Sequence, residues 1–263
     1  MGERLQRKRV IITGGTSGIG RAIVLHAAQE GADVAFCGLT DEGASETLQA
    51  IQRYKRRAFF RAFDLSDLAQ ARQFTREAID FLGGLDGVVN NAGTNFFRGV
   101  LEATQEDIQR CLAVDFYPAW AICQEAYLAL KAAGGGVVVN IASIHAERTN
   151  PGAFPYNAAK AALVALTKSI ALEWGRERIR AVAIAPALIM TPLADAYFAT
   201  FEDGQAERAR LEHHHPVGYA GRPEDIASLV GYLLSGVNHF LSGTTLFVDG
   251  GISSLLESPP DRS

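Results

Sequence analysis

Seven short apolar runs, separated by longer amphipathic stretches, recur along nearly the whole chain. The runs fall at residues 10–13, 34–37, 58–62, 87–90, 137–141, 180–184 and 246–248. Helix-like stretches lie between them at 18–29, 44–54, 68–81, 104–133, 156–173 and 223–234. The runs are rich in β-branched residues and apolar on both faces, which places them in a sheet covered on both sides. Strand followed by helix, repeated, gives parallel pairing, and the right-handed crossover rule makes the sheet doubly wound. The expected fold is therefore α/β: a single doubly wound parallel sheet, Rossmann-like, of about seven strands with helices on both faces. No break in composition divides the 263 residues, so 1–263 reads as one domain. Two segments depart from the pattern. Residues 191–216 are charged, aromatic and loosely periodic, as suits a substrate lid, and 257–263, with Pro259 and Pro260, read as a disordered tail.

Composition excludes several classes. Hydrophobic residues make up 48% and charged residues 21%, which is globular rather than disordered. Lys and Arg number 25 against 29 Asp and Glu, and a net charge of −4 argues against a nucleic-acid partner. The cluster Arg53, Lys55, Arg56 and Arg57 reads as a solvated helix end. No apolar run reaches the roughly 18 residues of a membrane span, and the polar start at 1–9 lacks the apolar stretch of a signal peptide. Cys37, Cys111 and Cys123 are odd in number, far apart and without paired spacing, as in a cytoplasmic protein with reduced thiols. His213, His214 and His215 are consecutive and bring no Cys or acidic partner, so no metal site is expected.

The first run leads directly into Gly14-Gly15-Thr16-Ser17-Gly18-Ile19-Gly20, and a helical pattern follows from Arg21. Glycines permit a tight turn and let backbone amides approach an anion, while the next helix presents its positive dipole end. In that strand–turn–helix setting the turn is expected to hold a pyrophosphate. Its spacing is Thr-Gly-x-x-x-Gly-x-Gly. Further along, Asn90-Asn91-Ala92-Gly93 ends the fourth run, Ser143 follows the fifth, and Tyr156-x-x-x-Lys160 opens a helix. Asp64-Leu65, Pro186 with Thr191, Gly221-Arg222-Pro223-Glu224-Asp225 and Val248-Asp249-Gly250-Gly251 complete the series. With these motifs in this order, residues 10–251 resemble the short-chain dehydrogenase/reductase family.

The resemblance implies an enzyme that moves a hydride between NAD or NADP and a secondary alcohol or ketone. It implies cofactor contacts from Gly14, Thr16, Ser17, Gly18, Ile19, Gly20, Leu39, Asp64, Leu65, Asn91, Ala92, Gly93, Pro186, Ile189 and Thr191, with Tyr156 and Lys160 at the nicotinamide end. In that scheme Asp64 bonds the adenine, Asn91 sits beside the adenosine ribose, and Ile189 and Thr191 lie along the carboxamide. Family members that use NAD usually end the second strand on an acidic residue. Those that use NADP carry a basic residue one place later, or just before the second glycine of the turn. Gly38, Leu39 and Ser17 stand at these places, so neither mark is present. Asp41 and Glu42 follow and would repel a 2′-phosphate, which favours NAD.

Hydride transfer at an alcohol carbon leaves a proton to be moved on or off the oxygen. Tyr156 and Lys160 are four apart and share a helical face, so the ammonium is expected to favour the phenolate. The resemblance adds Ser143 as the group that binds the substrate oxygen and gives Lys160 the nicotinamide ribose. The family commonly has Asn at a fourth catalytic position, holding a water in a proton relay; Asp115 stands there. A carboxylate can accept from water or Lys160 but cannot donate unless protonated. Two smaller departures, Val182 and Ala187, lie at the sixth strand.

His145, Glu147, Arg148, Thr149 and Asn150 on one side of the expected pocket suit a sugar or polyol, while Tyr197, Phe198 and Phe201 on the other equally suit a steroid, cyclic alcohol or 3-oxoacyl group. Family members usually form homotetramers through two long helices, here 104–133 and 156–173, with Phe116, Trp120, Leu163 and Leu166 as candidate contacts. The rival reading is a non-catalytic NAD(P)-binding redox sensor, against which the joint presence of Ser143, Tyr156 and Lys160 argues, because binding alone needs no phenol.

Overall fold

Strand β1 (Arg9–Ile12) carries the pattern from which the sheet is built. Val10 and Ile12 turn to one face and Ile11 to the other, and all three are wholly buried. The computed structural model describes residues 4–256, and the tail expected at 257–263 lies outside them. The chain continues as α1 (Gly18–Gln29), β2 (Asp33–Gly38), α2 (Ala44–Arg53), β3 (Ala58–Ala62), α3 (Leu68–Leu82), β4 (Gly87–Asn90) and β5 (Phe97–Arg98). It then forms α4 (Gln105–Asp115), α5 (Tyr117–Ala132), β6 (Gly136–Ile141), β7 (Phe154–Pro155), α6 (Tyr156–Trp174) and β8 (Ile179–Pro186). The last elements are α7 (Pro192–Phe198), α8 (Gly204–His214), α9 (Pro223–Ser235) and β9 (Thr244–Val248).

Seven strands pair in parallel in the order β3-β2-β1-β4-β6-β8-β9. Ile11 pairs with Ala35 of β2 on one side and Val88 of β4 on the other. Residues of alternate parity face opposite helix layers. Ile23 and Val24 of α1, Ile51 of α2 and Val230 of α9 pack with Val10, Ile12 and Phe36 on one face. Phe74 of α3, Ile122 of α5 and Ile170 of α6 pack with Ile11, Ala35 and Val138 on the other. Each fully buried side chain of this kind contributes about 1.5–3 kcal/mol. The winding runs outward from β1 to β3, returns to β4 and runs outward again to β9. The carboxyl ends of β1 and β4 therefore flank the crevice that such a reversal opens.

Three local expectations change. The stretch 104–133 is two helices, not one, because Pro118 cannot donate to Val114 and its ring would strike that carbonyl in a continuous helix. The break falls at Phe116, whose φ of −132° leaves the helical region. Within the segment 191–216 expected to form a lid, residues 192–214 hold two helices, α7 and α8. α8 buries no residue; Asp203 caps it by accepting from the Ala206 amide, and the pairs Arg208–Glu212 and Arg210–Glu207 run along it. A short antiparallel pair, β5 with β7, joins Phe97 to Pro155 and was not foreseen. Of the apolar residues expected to be available for assembly, Leu163 is core and only Trp120 is well exposed. His213 and His214 end α8, while His215 is buried and its Nδ1 donates to the Leu211 carbonyl at 2.8 Å. Among the described residues no three His, Cys, Asp or Glu side chains gather as metal ligands, and no helix is long and apolar enough to cross a membrane.

Candidate active site

The glycine turn joins β1 to α1. Gly14 and Gly18 adopt φ of +67° and +50°, which side chains with a Cβ rarely tolerate. A Cβ on Gly20 would collide with the Gly14 carbonyl and the Asn91 amide, and one on Gly38 would lie 2.7 Å from Thr16. The Ser17 side chain makes no cap bond to the first turn of α1. Backbone amides there are free to meet an anion at the positive end of the helix, so the turn fits a pyrophosphate.

The end of β4 is locked to the end of β1. Thr13 Oγ1 accepts from the Asn91 and Ala92 amides, each at 3.0 Å, and Asn91 Nδ2 donates to the Thr13 carbonyl at 2.9 Å. Gly93 follows, where a Cβ would stand 2.8 Å from Lys160 Nζ. The chain thus brings its backbone against the lysine at a place where only glycine fits.

A cleft of about 930 Å³ opens beyond these strand ends. It gathers nine of the catalytic and cofactor-contact residues expected from sequence, Ile19, Asn91, Gly93, Ser143, Tyr156, Lys160, Pro186, Ile189 and Thr191, and of the expected substrate side chains it takes in His145, Arg148, Thr149, Asn150 and Tyr197 but not Glu147, Phe198 or Phe201. The others lie outside its lining. Gly14, Thr16, Ser17, Gly18 and Gly20 form the turn itself. Leu39 is 70% exposed after β2, and exposed Asp64 accepts from the Ser66 amide at 2.9 Å. Leu65, Ala92 and Asp115 border a separate void of about 10 Å³, close to the smallest that holds one water. Phe97, Asn95 and Arg210 also line the cleft and were not singled out from sequence. The Phe96-Phe97 pair, two residues beyond Asn90-Asn91-Ala92-Gly93, was the available signal.

Tyr156 is the first residue of α6, and Lys160 follows one turn later with Nζ 5.5 Å from the centre of the phenol ring. The Lys160 ammonium donates to the Ile141 carbonyl at 3.4 Å and lies 3.8 Å from Asp115 Oδ2. Asp115 Oδ1 accepts from the Thr94 amide at 2.8 Å, and Oδ2, though buried, has no hydrogen-bond partner. Ser143 caps a short helical turn, accepting from the His145 amide at 3.2 Å, and lines the same cleft as Tyr156.

These groups act on one another. Burial pulls the Lys160 ammonium down, but Asp115, Tyr156 and Cys111 outweigh it and hold it above its ordinary value. Burial pushes the Asp115 carboxyl up against the pull of Lys160 and the Thr94 amide. The Tyr156 phenol also ends above its ordinary value. Lys160 and Ser143 pull it down, as expected for the lysine, yet burial outweighs both and Asp115 adds to the rise. Lys160 thus acts in the expected direction, and the sequence spacing contained the ammonium but not the desolvation that outweighs it.

A family model described as enoyl-(acyl carrier protein) reductase matches residues 14–253. A 4-formylbenzenesulfonate dehydrogenase of Comamonas testosteroni is 38% identical over 248 residues, covering 94% of this chain and 98% of that protein. The chain belongs to the short-chain dehydrogenase/reductase family. Another relative, 3β-hydroxysteroid dehydrogenase 1 of Eggerthella lenta, is 35% identical over 257 residues and 96% of each chain. A solved 7α-hydroxysteroid dehydrogenase, complexed with NADH and 7-oxo glycochenodeoxycholic acid, superposes with a TM-score of 0.87 at 29% identity, over 95% of this chain and 96% of its own. As a short-chain dehydrogenase/reductase, this protein is an NAD(P)-dependent oxidoreductase acting on CH–OH groups.

Proposed function

We propose that the protein moves a hydride between NAD(H) and a cyclic secondary alcohol or ketone, with Tyr156 as the proton donor and acceptor. The observation that carries this reading is the set of buried Ser143, Lys160 and Asp115 with half-buried Tyr156 near the carboxyl ends of β4 and β6, on and just behind one wall of a cleft that also takes in Ile19 and Thr191. The glycine turn would hold the pyrophosphate, and Gly93, Pro186, Ile189 and Thr191 the nicotinamide half. Bound there, the dinucleotide supplies or takes up the hydride. Ser143 holds the substrate oxygen beside the phenol. Tyr156 gives its proton to that oxygen in ketone reduction and takes it back in alcohol oxidation. Lys160 stabilises the phenolate, and Asp115 holds Lys160 charged.

The cyclic substrate is favoured by an aromatic wall. Phe97 meets Tyr156 edge-on at 5.2 Å between ring centres, Tyr197 at 6.4 Å and His145 at 6.0 Å. The relatives named for a formylbenzenesulfonate and a hydroxysteroid are consistent with it. A sugar or polyol is the second reading, favoured by the amides and hydroxyl of Asn95, Thr149 and Asn150 along the same cleft. NAD is preferred over NADP because Arg21, the cation opening α1, is paired with Glu46 at 3.0 Å, and Asp41 and Glu42 are exposed after β2. We place the enzyme in the cytoplasm, in keeping with three free buried cysteines, and in a homotetramer. Exposed Trp120 and Leu128 on α5 and Leu172 on α6 offer the apolar contacts. Assays of cyclic ketones and of polyols with both cofactors test the reading. NADH should exceed NADPH in kcat/KM by roughly tenfold, as like-charge repulsion of a 2′-phosphate would give. A preference for NADPH, or turnover of polyols alone, would overturn it.

The direction of the phenol shift sets a pH dependence. Alcohol oxidation needs the phenolate and should quicken as pH rises, while ketone reduction needs the phenol and should slow over the same range. Asp115→Asn removes the carboxylate that helps raise the phenol, so both limbs should move to lower pH. Profiles that coincide with wild type would leave the Asp115 charge without a part in the reaction.

A further inference from the structure

We propose that the substrate carries a carboxylate or sulfonate on its ring and that Arg148 binds it. The inference deepens the hydride-transfer reading and rests on it for the position of the reacting carbon. Its basis is the sign of the charges around the cleft. The protein as a whole has more acidic than basic residues, 29 against 25. Yet the charged residues lining the cleft, among those described, are Arg148, Lys160 and Arg210, with no Asp or Glu.

Two of these cations are already spoken for. Lys160 has Asp115 behind it at 3.8 Å, and Arg210 is held in a two-point pair by Glu207 at 2.7 and 2.8 Å. Arg148 has neither an ion pair nor a side-chain hydrogen bond among the described residues. Its backbone is fixed, since its amide donates to the Ile144 carbonyl at 2.8 Å. The loop that carries it follows directly from the turn capped by Ser143, so the guanidinium and the phenol belong to one continuous wall.

A free guanidinium presents a planar fork that matches the two or three oxygens of a carboxylate or sulfonate. Phe97 and His145 line the same cleft and pack with Tyr156, which offers an aromatic surface to a ring. A neutral polyol would use the amide and hydroxyl groups but leave this cation unmatched. An anion on the ring satisfies it, and among the described residues no carboxylate pairs with Arg148 or lines the cleft.

The test compares 4-acetylbenzoate with its neutral counterpart 4-acetylbenzamide. Binding of each to the NAD-loaded enzyme is measured by calorimetry, and reduction of each is followed by NADH oxidation. Wild type should bind the benzoate roughly tenfold or more tightly than the amide, the range for a hydrogen bond to a charged group. Arg148→Gln should bring that ratio close to 1, and Arg148→Lys should restore part of it. A ratio near 1 in wild type, or a ratio unchanged in Arg148→Gln, overturns the anion site whether or not the ketones are reduced. A wild-type preference lost in Arg148→Gln, without NADH oxidation for either compound, supports the anion site and shows that an aryl methyl ketone does not bring its carbonyl to Tyr156.

Discussion

Tyr156→Phe is expected to lower kcat about a thousandfold while leaving the fold and cofactor binding in place. The phenol ring packs edge-on against Phe97 and lies near the His145 ring, and Phe preserves both contacts. Only the hydroxyl is lost, and with it the phenol proton on a ring that lines the cleft with Ser143 and Lys160. Calorimetric titration with NADH should give an affinity close to wild type, and the melting temperature should stay close as well. Retained turnover above a few per cent of wild type would take the proton step away from Tyr156 (roughly the floor that general acid–base catalysis allows). Loss of NADH binding would instead indicate damage to the site as a whole.

Lys160→Met should be costly twice, and the two losses can be separated. The ammonium is the counter-charge of a carboxylate whose side chain is wholly buried. Removing it leaves the buried Asp115 carboxylate without its ion-pair partner, and truncating one side of a buried pair costs about 3–5 kcal/mol. For a chain of this length that corresponds to a fall in melting temperature of about 6–20 °C. Adding Asp115→Asn removes the stranded charge and keeps an oxygen for the Thr94 amide. The double variant should therefore recover most of the lost stability. It should not recover activity, because the phenolate still lacks its cation. Recovery of both would mean that Lys160 serves folding alone, and recovery of neither would mean that Asp115 is not the group it compensates.

Much of the fold could be read from the chain because its signals are local. The doubly apolar runs at 10–13, 34–37 and 137–141 announce buried parallel strands without reference to anything distant. The break at Phe116 was less legible: the amphipathic pattern continues across it, and Pro118 reads as well for a helix start as for a helix end. α8 was hidden for the opposite reason. It buries nothing and so has no apolar stripe to see, its support coming from charge pairs such as Arg210–Glu207.

The candidate site divides along the same line. Tyr156 and Lys160 share a helix, and Ser143 sits at a strand end, so their positions follow from local order. Phe97 reaches the cleft through β5, which exists only because residues 154–155 return to pair with it. Arg210 reaches it from a helix the pattern did not reveal. The net rise of the phenol was likewise out of reach, since it depends on how completely the tertiary structure excludes water from Tyr156. Charge neighbours can be counted along a helix; desolvation cannot.

The most direct measurement follows deuterium. Wild-type enzyme is given NADH carrying deuterium at the transferable position of C4, together with a cyclic ketone that it reduces, and the product alcohol is examined by mass spectrometry and NMR. The account predicts that the label moves to the carbinol carbon, that solvent protons appear only on the oxygen, and that Tyr156→Phe stops the transfer in a single turnover. Product alcohol without deuterium on that carbon, or full transfer in Tyr156→Phe, would contradict it.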